Sequence, residues 1–259
     1  MRYGGHYKSY GPQYVRGIIE GNGFPPDGNM WITYSMNKED IWVAKVAVPI
    51  EEKASEHVDV IFDDLPGEQE LDKWNTYSSL WAPVTVKKVN NEKLLVLKDK
   101  DPCDYAKAER IFPESKILTA RFTIVPKQNH FGMLHIEFQD RNGTPAVRLV
   151  FDRDSMLKVK SGYRMKTIAS YYPDTAYTIE VDLNVNTRLY DVYVNGIKGS
   201  TQFFFAPVHA LERIVFRTGE VRRFPNADTP AFQDFDIPDA GIPGKEAIYY
   251  IKSVTTDSQ

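Results

Sequence analysis

Polar residues at alternate positions in two neighbouring segments have the chemistry of a sugar-binding face. His135, Glu137 and Gln139 alternate with apolar residues in GMLHIEFQD, so they share one face of a predicted strand. Arg148, in AVRLVFD, projects from the same face if the two segments form a hairpin around RNGTP. Together these groups can donate hydrogen bonds to sugar hydroxyls and accept them. The predicted ligand-binding residues of this kind are Arg121, His135, Glu137, Gln139, Arg148 and Tyr193. The alternative is an ordinary solvated sheet face.

A second set of residues has the chemistry of glycoside hydrolysis, which uses two carboxyl groups on either side of the scissile bond. Glu180 and Asp182, followed by Asn184, alternate along YTIEVDLN and share one strand face. They could act as acid and base. A solvated outer face is the favoured interpretation, so the catalytic residues stay unknown.

Oxygen-rich segments are candidate cation sites, because Ca²⁺ takes 6 to 8 oxygen ligands. The predicted metal ligands are Asp63, Asp64 and Asp234, with Asp152, Asp154, Asp236 and Asp239 in similar segments. A structural Ca²⁺ ion is the cofactor that this composition allows. With five histidines and one cysteine in the chain, zinc is disfavoured, and Cys103 is expected to be a structural thiol.

The four tryptophans offer faces on which sugar rings can stack. Trp74 lies in the polar segment ELDKWNTYSSLW and is the preferred binding candidate. Trp31 and Trp42 lie in alternating segments and are expected to be buried.

The elements that would position these residues are strands. From Val58 onward, short segments rich in β-branched and aromatic residues alternate apolar and polar positions, and no comparable run has a helical period. Ten or more such segments in about 200 residues favour an antiparallel two-sheet sandwich. We therefore predict an all-β jelly-roll sandwich over residues 58–259.

The first 57 residues differ from the rest. YVRGIIEG, MWITYS and IWVAKVAVPI read as strands joined by turn residues, which predicts a short β-meander. The charged segment EEKASEH is a predicted linker. The predicted domains are residues 1–57 and residues 58–259.

The charge and hydropathy exclude two classes of partner. A formal net charge of -3 and a pI near 6.0 do not provide the basic field that nucleic acid needs. No window approaches 18 apolar residues, so no membrane span is expected, and the first residues lack the apolar region of a secretory signal.

The segment TAYTIEVDLNVNTRLYDVYVNGIKGS resembles the hairpin of concanavalin A-like and laminin-G-like jelly rolls. Its second strand ends in Val194, Asn195 and Gly196, and Asn-Gly favours the type I′ turn. RIVFRTG and AIYYIKSV follow in the order found in that superfamily. The resemblance covers about 200 residues and implies the fold, while activity has to be argued from the site.

GNGFPPDGNMWITYSMNKEDIWVAKVAVPI resembles the last blade of BNR-repeat, sialidase-like β-propellers of polysaccharide-degrading bacteria. The resemblance implies that most of a propeller is missing from this chain and that the parent protein is periplasmic or extracellular. It also implies an anionic-sugar site with arginines and a tyrosine nucleophile. The corresponding N-terminal residues are Arg2, His6, Tyr14 and Arg16, for which a tyrosine-rich strand pair is the alternative.

Together, these patterns and resemblances predict a carbohydrate-associated accessory or binding domain of a glycan-degrading protein. The alternatives are a glycoside hydrolase, sialidase-like if it is an enzyme, with its site at the domain junction, and a purely structural module. The expected partner is a poly- or oligosaccharide. An unpaired edge strand also predicts a homodimer or contact with the missing propeller.

Overall fold

The computed structural model describes residues 12–19, 29–36, 40–47, 54–65, 71, 73–79, 81–101, 105–219 and 243–258. The chain divides into two compact units. Residues 1–52 with 221–242 form one, and residues 53–220 with 243–259 form the other.

The described part of the first unit is a three-stranded antiparallel sheet. Its strands β1 (Pro12–Ile19), β2 (Asn29–Met36) and β3 (Asp40–Ala47) pair in chain order. This confirms the predicted N-terminal β-meander. Trp31 and Trp42 are half-buried, so the expectation of buried indoles is met only in part.

The second unit contains the remaining elements. They are β4 (Asp59–Ile61), a single-turn 3-10 helix (Phe62–Asp64), β5 (Trp74–Ser78), β6 (Val84–Val89), β7 (Glu92–Asp99), β8 (Ala106–Ser115), β9 (Ile117–Pro126), β10 (Leu134–Gln139), β11 (Pro145–Phe151), β12 (Met156–Ser161), β13 (Arg164–Ser170), β14 (Tyr177–Asn184), β15 (Leu189–Val194), β16 (Ile197–Lys198), β17 (Gln202–Phe203), β18 (Leu211–Thr218) and β19 (Ala247–Ser258).

Within the described residues these strands form two antiparallel sheets. The first sheet has seven strands in the order β13-β12-β11-β10-β18-β8-β5. The second has the order β16-β15-β14-β9-β19-β7-β6, with β17 beside β15 and β4 beside β19. The predicted all-β jelly-roll sandwich is thereby confirmed.

Inward-facing side chains of the two sheets pack against each other, as the alternating pattern predicts. Phe122 on β9 meets Phe216 on β18 edge to face, with ring centroids 5.6 Å apart. Phe151 on β11 meets Tyr177 on β14 at 6.0 Å. Such pairs join the sheets into one hydrophobic core and leave the other face of each sheet for polar residues.

The predicted Asn-Gly turn joins β15 to β16. Asn195 has a φ of 51° and Gly196 a φ of 78°, and a type I′ turn requires positive φ at both central residues. The Asn195 side chain also accepts a hydrogen bond from the Thr178 N–H at 2.9 Å. This bond ties the turn to β14, which contains Thr178.

Candidate functional site

The outer face of the seven-stranded sheet carries the predicted polar cluster. Strands β10 and β11 pair as an antiparallel hairpin in which Glu137 lies opposite Arg148. The Asp140 side chain accepts N–H bonds from Asn142 and Thr144 and so shapes the turn. The hairpin hypothesis is confirmed, and it brings four predicted residues together: His135, Glu137, Gln139 and Arg148.

Glu137 is the centre of this cluster. Arg148 Nε and Nη2 both lie 2.6 Å from Glu137 Oε1, and Gln139 Nε2 donates to Glu137 Oε2 at 2.6 Å. Both carboxylate oxygens therefore have donors. Charge-assisted bonds of this kind fix the side chains in one arrangement.

A second buried carboxylate, Glu109, lies on the same face. In the strand register Glu137 on β10 lies opposite Val215 on β18, which lies opposite Glu109 on β8. Lys107 Nζ and Arg213 Nη1 each lie 2.9 Å from a Glu109 oxygen. Burial alone would raise the pKa of Glu109, but these cations outweigh it and hold the pKa below its usual value.

His135 is 4% exposed, and neither of its ring nitrogens forms a hydrogen bond of regular geometry with the described residues, although the backbone of Gly219 lies close enough to oppose the lowering of its pKa. Arg217 lies directly across from it on β18. Burial, reinforced by the charges of Arg148 and Arg217, lowers the pKa of His135 to about 3. The imidazole is therefore neutral near pH 7, with one nitrogen able to donate and the other able to accept.

Aromatic rings accompany the cations of this face. The Arg217 guanidinium lies 3.9 Å from the ring centroid of Tyr105, and Tyr105 packs against Tyr77. Arg148 and Lys160 lie 5.3 Å and 4.7 Å from the ring centroid of Phe205. Cation–π contacts of this kind orient the charged groups beside a flat apolar surface.

Two predicted ligand residues lie elsewhere. Arg121 on β9 and Tyr193 on β15 are both opposite Glu180 on β14, in the second sheet. Arg121 Nε donates to Glu180 at 2.9 Å. The expectation that they join the His135 cluster is wrong, because β9 and β15 belong to the other layer of the sandwich.

Trp74 differs from its prediction. It is 9% exposed and packs in the core against Phe62 and Phe216, with centroid distances of 5.8 Å and 6.3 Å. The two polar residues that follow it, Asn75 and Thr76, are exposed, while the indole itself is buried. The expected exposed ring for sugar stacking is therefore not found at this position.

One member of the predicted acid pair on β14, Asp182, lines a groove of about 480 Å³ on the second sheet. Asp182 lies opposite Asp191 on β15 and accepts a hydrogen bond from Thr119 at 2.7 Å. Asp191 accepts one from Thr201 at 2.6 Å and pairs with Lys198 at 2.8 Å. Glu180, paired with Arg121, is not among the residues lining the groove, so the predicted pair does not converge on one point.

The predicted metal ligands do not form a cluster where they are described. Asp63 accepts a hydrogen bond from the Lys93 N–H at 2.8 Å, and Asp152 pairs with Lys158 at 2.7 Å. In the part of the chain that the structure describes, no group of three or more His, Cys, Asp or Glu residues could hold a metal ion. The Ca²⁺ site stays a prediction, since Asp234 lies outside the described residues.

Most of the N-terminal cluster also lies outside the described residues. Arg2, His6 and the Tyr14 side chain belong to that part, as does Cys103. Arg16 lies on β1 and is exposed.

The two antiparallel sheets define a jelly-roll sandwich, and solved structures share this fold. A Crh5 transglycosylase matches with a TM-score of 0.53 and 13% identity over 80% of this chain and 86% of that one. A Bacillus licheniformis β-glucanase matches with a TM-score of 0.50 and 8% identity, over 79% and 99%. At these identities the likeness concerns the fold alone.

Two further comparisons show the family. The family model described as "Sialidase-like, CBM domain" matches residues 74–233, more than half of the chain. The chain therefore belongs to the sialidase-like CBM domain family. The structure of a sialidase is 46% identical over 100% of this chain, with a TM-score of 0.86, and the chain spans 24% of that protein's length.

A search of curated proteins finds no match. Within the described residues, no helix has the length and apolar character to cross a membrane.

Proposed function

We propose that the chain is a carbohydrate-binding accessory domain and that it binds saccharide on the outer face of the seven-stranded sheet. The observation that carries the proposal is His135, whose two ring nitrogens are buried and form no hydrogen bond of regular geometry with the described residues, although the backbone of Gly219 lies close to the ring. A buried polar group of this kind needs an explanation, and a bound ligand or ordered water is the usual one.

The groups around His135 match the chemistry of sugar hydroxyls, which both donate and accept hydrogen bonds. Gln139 and Arg148 are partly accessible donors beside it, and Glu137 holds them in place. A neutral imidazole adds one donor and one acceptor. Tyr105 and Phe205 supply apolar faces of the kind that stack on sugar rings.

Family membership supports this proposal, since the matching model describes a CBM domain. The sialidase that matches the whole chain supports a parent protein that is sialidase-like and degrades glycans. We place the three N-terminal strands in a blade of a BNR-repeat propeller of that parent, and the parent in the periplasm or outside the cell.

A glycan array with the full chain tests the proposal, with and without Ca²⁺, together with an assay of reducing-sugar release. We expect binding without release, and loss of binding in His135→Gln. His209→Gln is the matched control, because His209 is exposed. Absence of binding to every glycan, with the chain folded, would leave a purely structural module and overturn the proposal.

A glycoside hydrolase is the second candidate, and one observation favours it. Glu109 and Glu137 lie in one row, two strands apart, which corresponds to about 9.6 Å between backbones and is close to the carboxyl separation of inverting enzymes. Both are ion-paired, and the lowered pKa of Glu109 disfavours a general acid there. Sugar release that disappears in Glu109→Gln would favour this candidate.

A further inference from the structure

We infer that the groove on the outer face of the second sheet is a second saccharide-binding site, which takes a neutral sugar through two hydroxyl groups of one ring. It is separate from the site proposed above, because its residues lie on β9, β14 and β15 and in the segment that follows β16. Its volume of about 480 Å³ falls within the range of small-ligand pockets, roughly 300 to 1,000 Å³. The groove therefore has room for a small saccharide.

The first of two rows of side chains in this groove is polar. Asp182 alternates with buried residues of β14, so it faces away from the core. The register places Thr119 on β9 and Asp191 on β15 directly opposite Asp182. Thr201 continues the row, since its hydroxyl donates to Asp191 at 2.6 Å. A ligand in the groove therefore lies along a line of carboxylate and hydroxyl groups.

The second row brings apolar surface beside the first. Ile117 on β9 and Leu189 on β15 lie opposite Asn184 on β14, and all three line the groove. Phe203 on β17 lies opposite Leu189 and is 60% exposed. A sugar ring carries hydroxyl groups at its edge and C–H groups on its faces, and an exposed aromatic ring can pack against such a face. The two rows together match both kinds of surface.

Asp182 offers an open hydrogen-bond acceptor. Its Oδ1 accepts a hydrogen bond from the Thr119 hydroxyl at 2.7 Å. Thr119 is the one described residue that hydrogen bonds to this side chain, so Oδ2 is available to a ligand. A carboxylate accepts stronger hydrogen bonds than a neutral oxygen does. Asp182 can therefore hold a sugar hydroxyl as its donor.

Asn184 offers an open donor two residues further along the same face. Its Oδ1 accepts hydrogen bonds from the backbone N–H groups of Asn186 at 3.0 Å and Thr187 at 3.2 Å, which fixes the orientation of the amide. Within the described ranges of the chain, the Nδ2 group donates to no residue. The Cα atoms of Asp182 and Asn184 are about 7 Å apart along the strand. Both side chains can therefore reach hydroxyl groups of one sugar ring.

The charge of the groove selects a neutral ligand. Asp182 lies opposite Asp191, and like charges directly opposite each other destabilise a sheet. Lys198 pairs with Asp191 at 2.8 Å, whereas no described cation pairs with Asp182. An anionic sugar would therefore be repelled. A local cost to stability of this kind is typical of a functional site.

Isothermal titration of the full chain tests the inference with lactose, cellobiose and chitobiose as neutral probes and digalacturonate as the acidic probe. The same titrations are made on His135→Gln, which removes the central residue of the first site. We expect at least one neutral disaccharide to bind, and to bind equally well to His135→Gln. We expect digalacturonate to bind His135→Gln at least about tenfold more weakly than that disaccharide, because of the charge of Asp182.

Two variants and their controls locate the binding in the groove. Asp182→Ala removes the acceptor and should weaken binding of the neutral disaccharide at least about tenfold. Asn184→Asp keeps the oxygen that accepts the two N–H bonds and removes the donor, so a similar loss is expected. Asp59→Ala and Asn90→Asp make the same changes at exposed positions of the second unit and should leave binding unchanged.

Four results would overturn the inference. Loss of neutral binding in His135→Gln alone would leave the proposed function standing and remove the second site. Equal loss in the two controls would remove the assignment to the groove. Digalacturonate that binds His135→Gln as tightly as the neutral disaccharides would contradict the role of Asp182. If none of the three neutral disaccharides bound, the second site would be absent, and the glycan array would still judge the first site by the glycans that His135→Gln loses.

Discussion

Glu137 and Arg148 lie directly opposite each other on β10 and β11 and form an ion pair at 2.6 Å that is largely shielded from solvent. A buried pair is weak evidence for net stability, because both charges lose hydration. Removing one partner of the pair is strongly destabilising, because the other charge then stays buried without its partner. The pair therefore fixes the geometry of the face more than it stabilises the fold.

Arg148→Ala should lower the free energy of unfolding by roughly 3 to 5 kcal/mol, because it leaves the Glu137 carboxylate buried with Gln139 as its remaining donor. Urea unfolding at pH 7 measures the change. The double variant Arg148→Met with Glu137→Gln removes both charges and should recover most of the loss. If Arg148→Ala were as stable as the unmodified chain, the ion pair would have to be hydrated in solution.

His135 should make stability depend on pH. Its pKa is about 3 in the folded chain and about 6.5 when unfolded, so the unfolded chain binds more protons between these values. Stability from this group is complete above pH 6.5 and is lost as pH falls toward 3. Between pH 7 and pH 5 the loss should be about 2 kcal/mol. Unfolding in urea at both pH values measures it.

His135→Gln is the control for that pH dependence. Glutamine does not titrate, so the difference in unfolding free energy between pH 7 and pH 5 should shrink by about 2 kcal/mol. An unchanged difference would mean that His135 is hydrated or protonated in the folded chain.

A substitution at Trp74 tests whether its indole is buried in the core. Trp74→Ala should cost about 3 to 5 kcal/mol, because it removes a buried ring that packs against Phe62 and Phe216. Tyr163→Ala, at an exposed ring, should change stability by less than about 0.5 kcal/mol. Thermal unfolding compares the two, and equal small effects would contradict the core position.

Part of the site could be predicted from the local sequence pattern. Alternation put His135, Glu137 and Gln139 on one face, and the turn signal in RNGTP brought Arg148 opposite. The same alternation made the sandwich predictable, because each strand needs one face in the core. These features are set by residues that are close in the sequence.

The rest depends on pairings that no local pattern fixes. Glu109 on β8 meets Arg213 on β18, which is 104 residues away in the chain, so sequence reasoning missed both. Alternation in AKAERIF does place Glu109 on the polar face of its strand, and alternation in RIVFRTG places Arg213 and Arg217 together on one face of theirs. This alternation is the signal that the sequence offered. Which strands become neighbours was the missing information. Trp74 was misplaced because its polar neighbours suggested exposure for the whole segment.

Gly132 precedes β10 and should not tolerate a side chain. Its φ is +68°, and a Cβ built there would lie 2.4 Å from Ala247 Cβ. Gly132→Ala should therefore cost more than about 2 kcal/mol, from left-handed backbone strain of about 1 to 2 kcal/mol plus the clash.

Gly196→Ala is its control, because Gly196 has a φ of +78° and no atom within 4 Å of a built Cβ. This variant should show the backbone strain alone, about 1 to 2 kcal/mol. Denaturant unfolding of the two variants side by side separates the clash from the strain. Equal losses would show that the loop before β10 shifts to accommodate the methyl group. A larger loss in Gly132→Ala would show that Ala247 on β19 constrains the loop leading into the strand that carries His135 and Glu137.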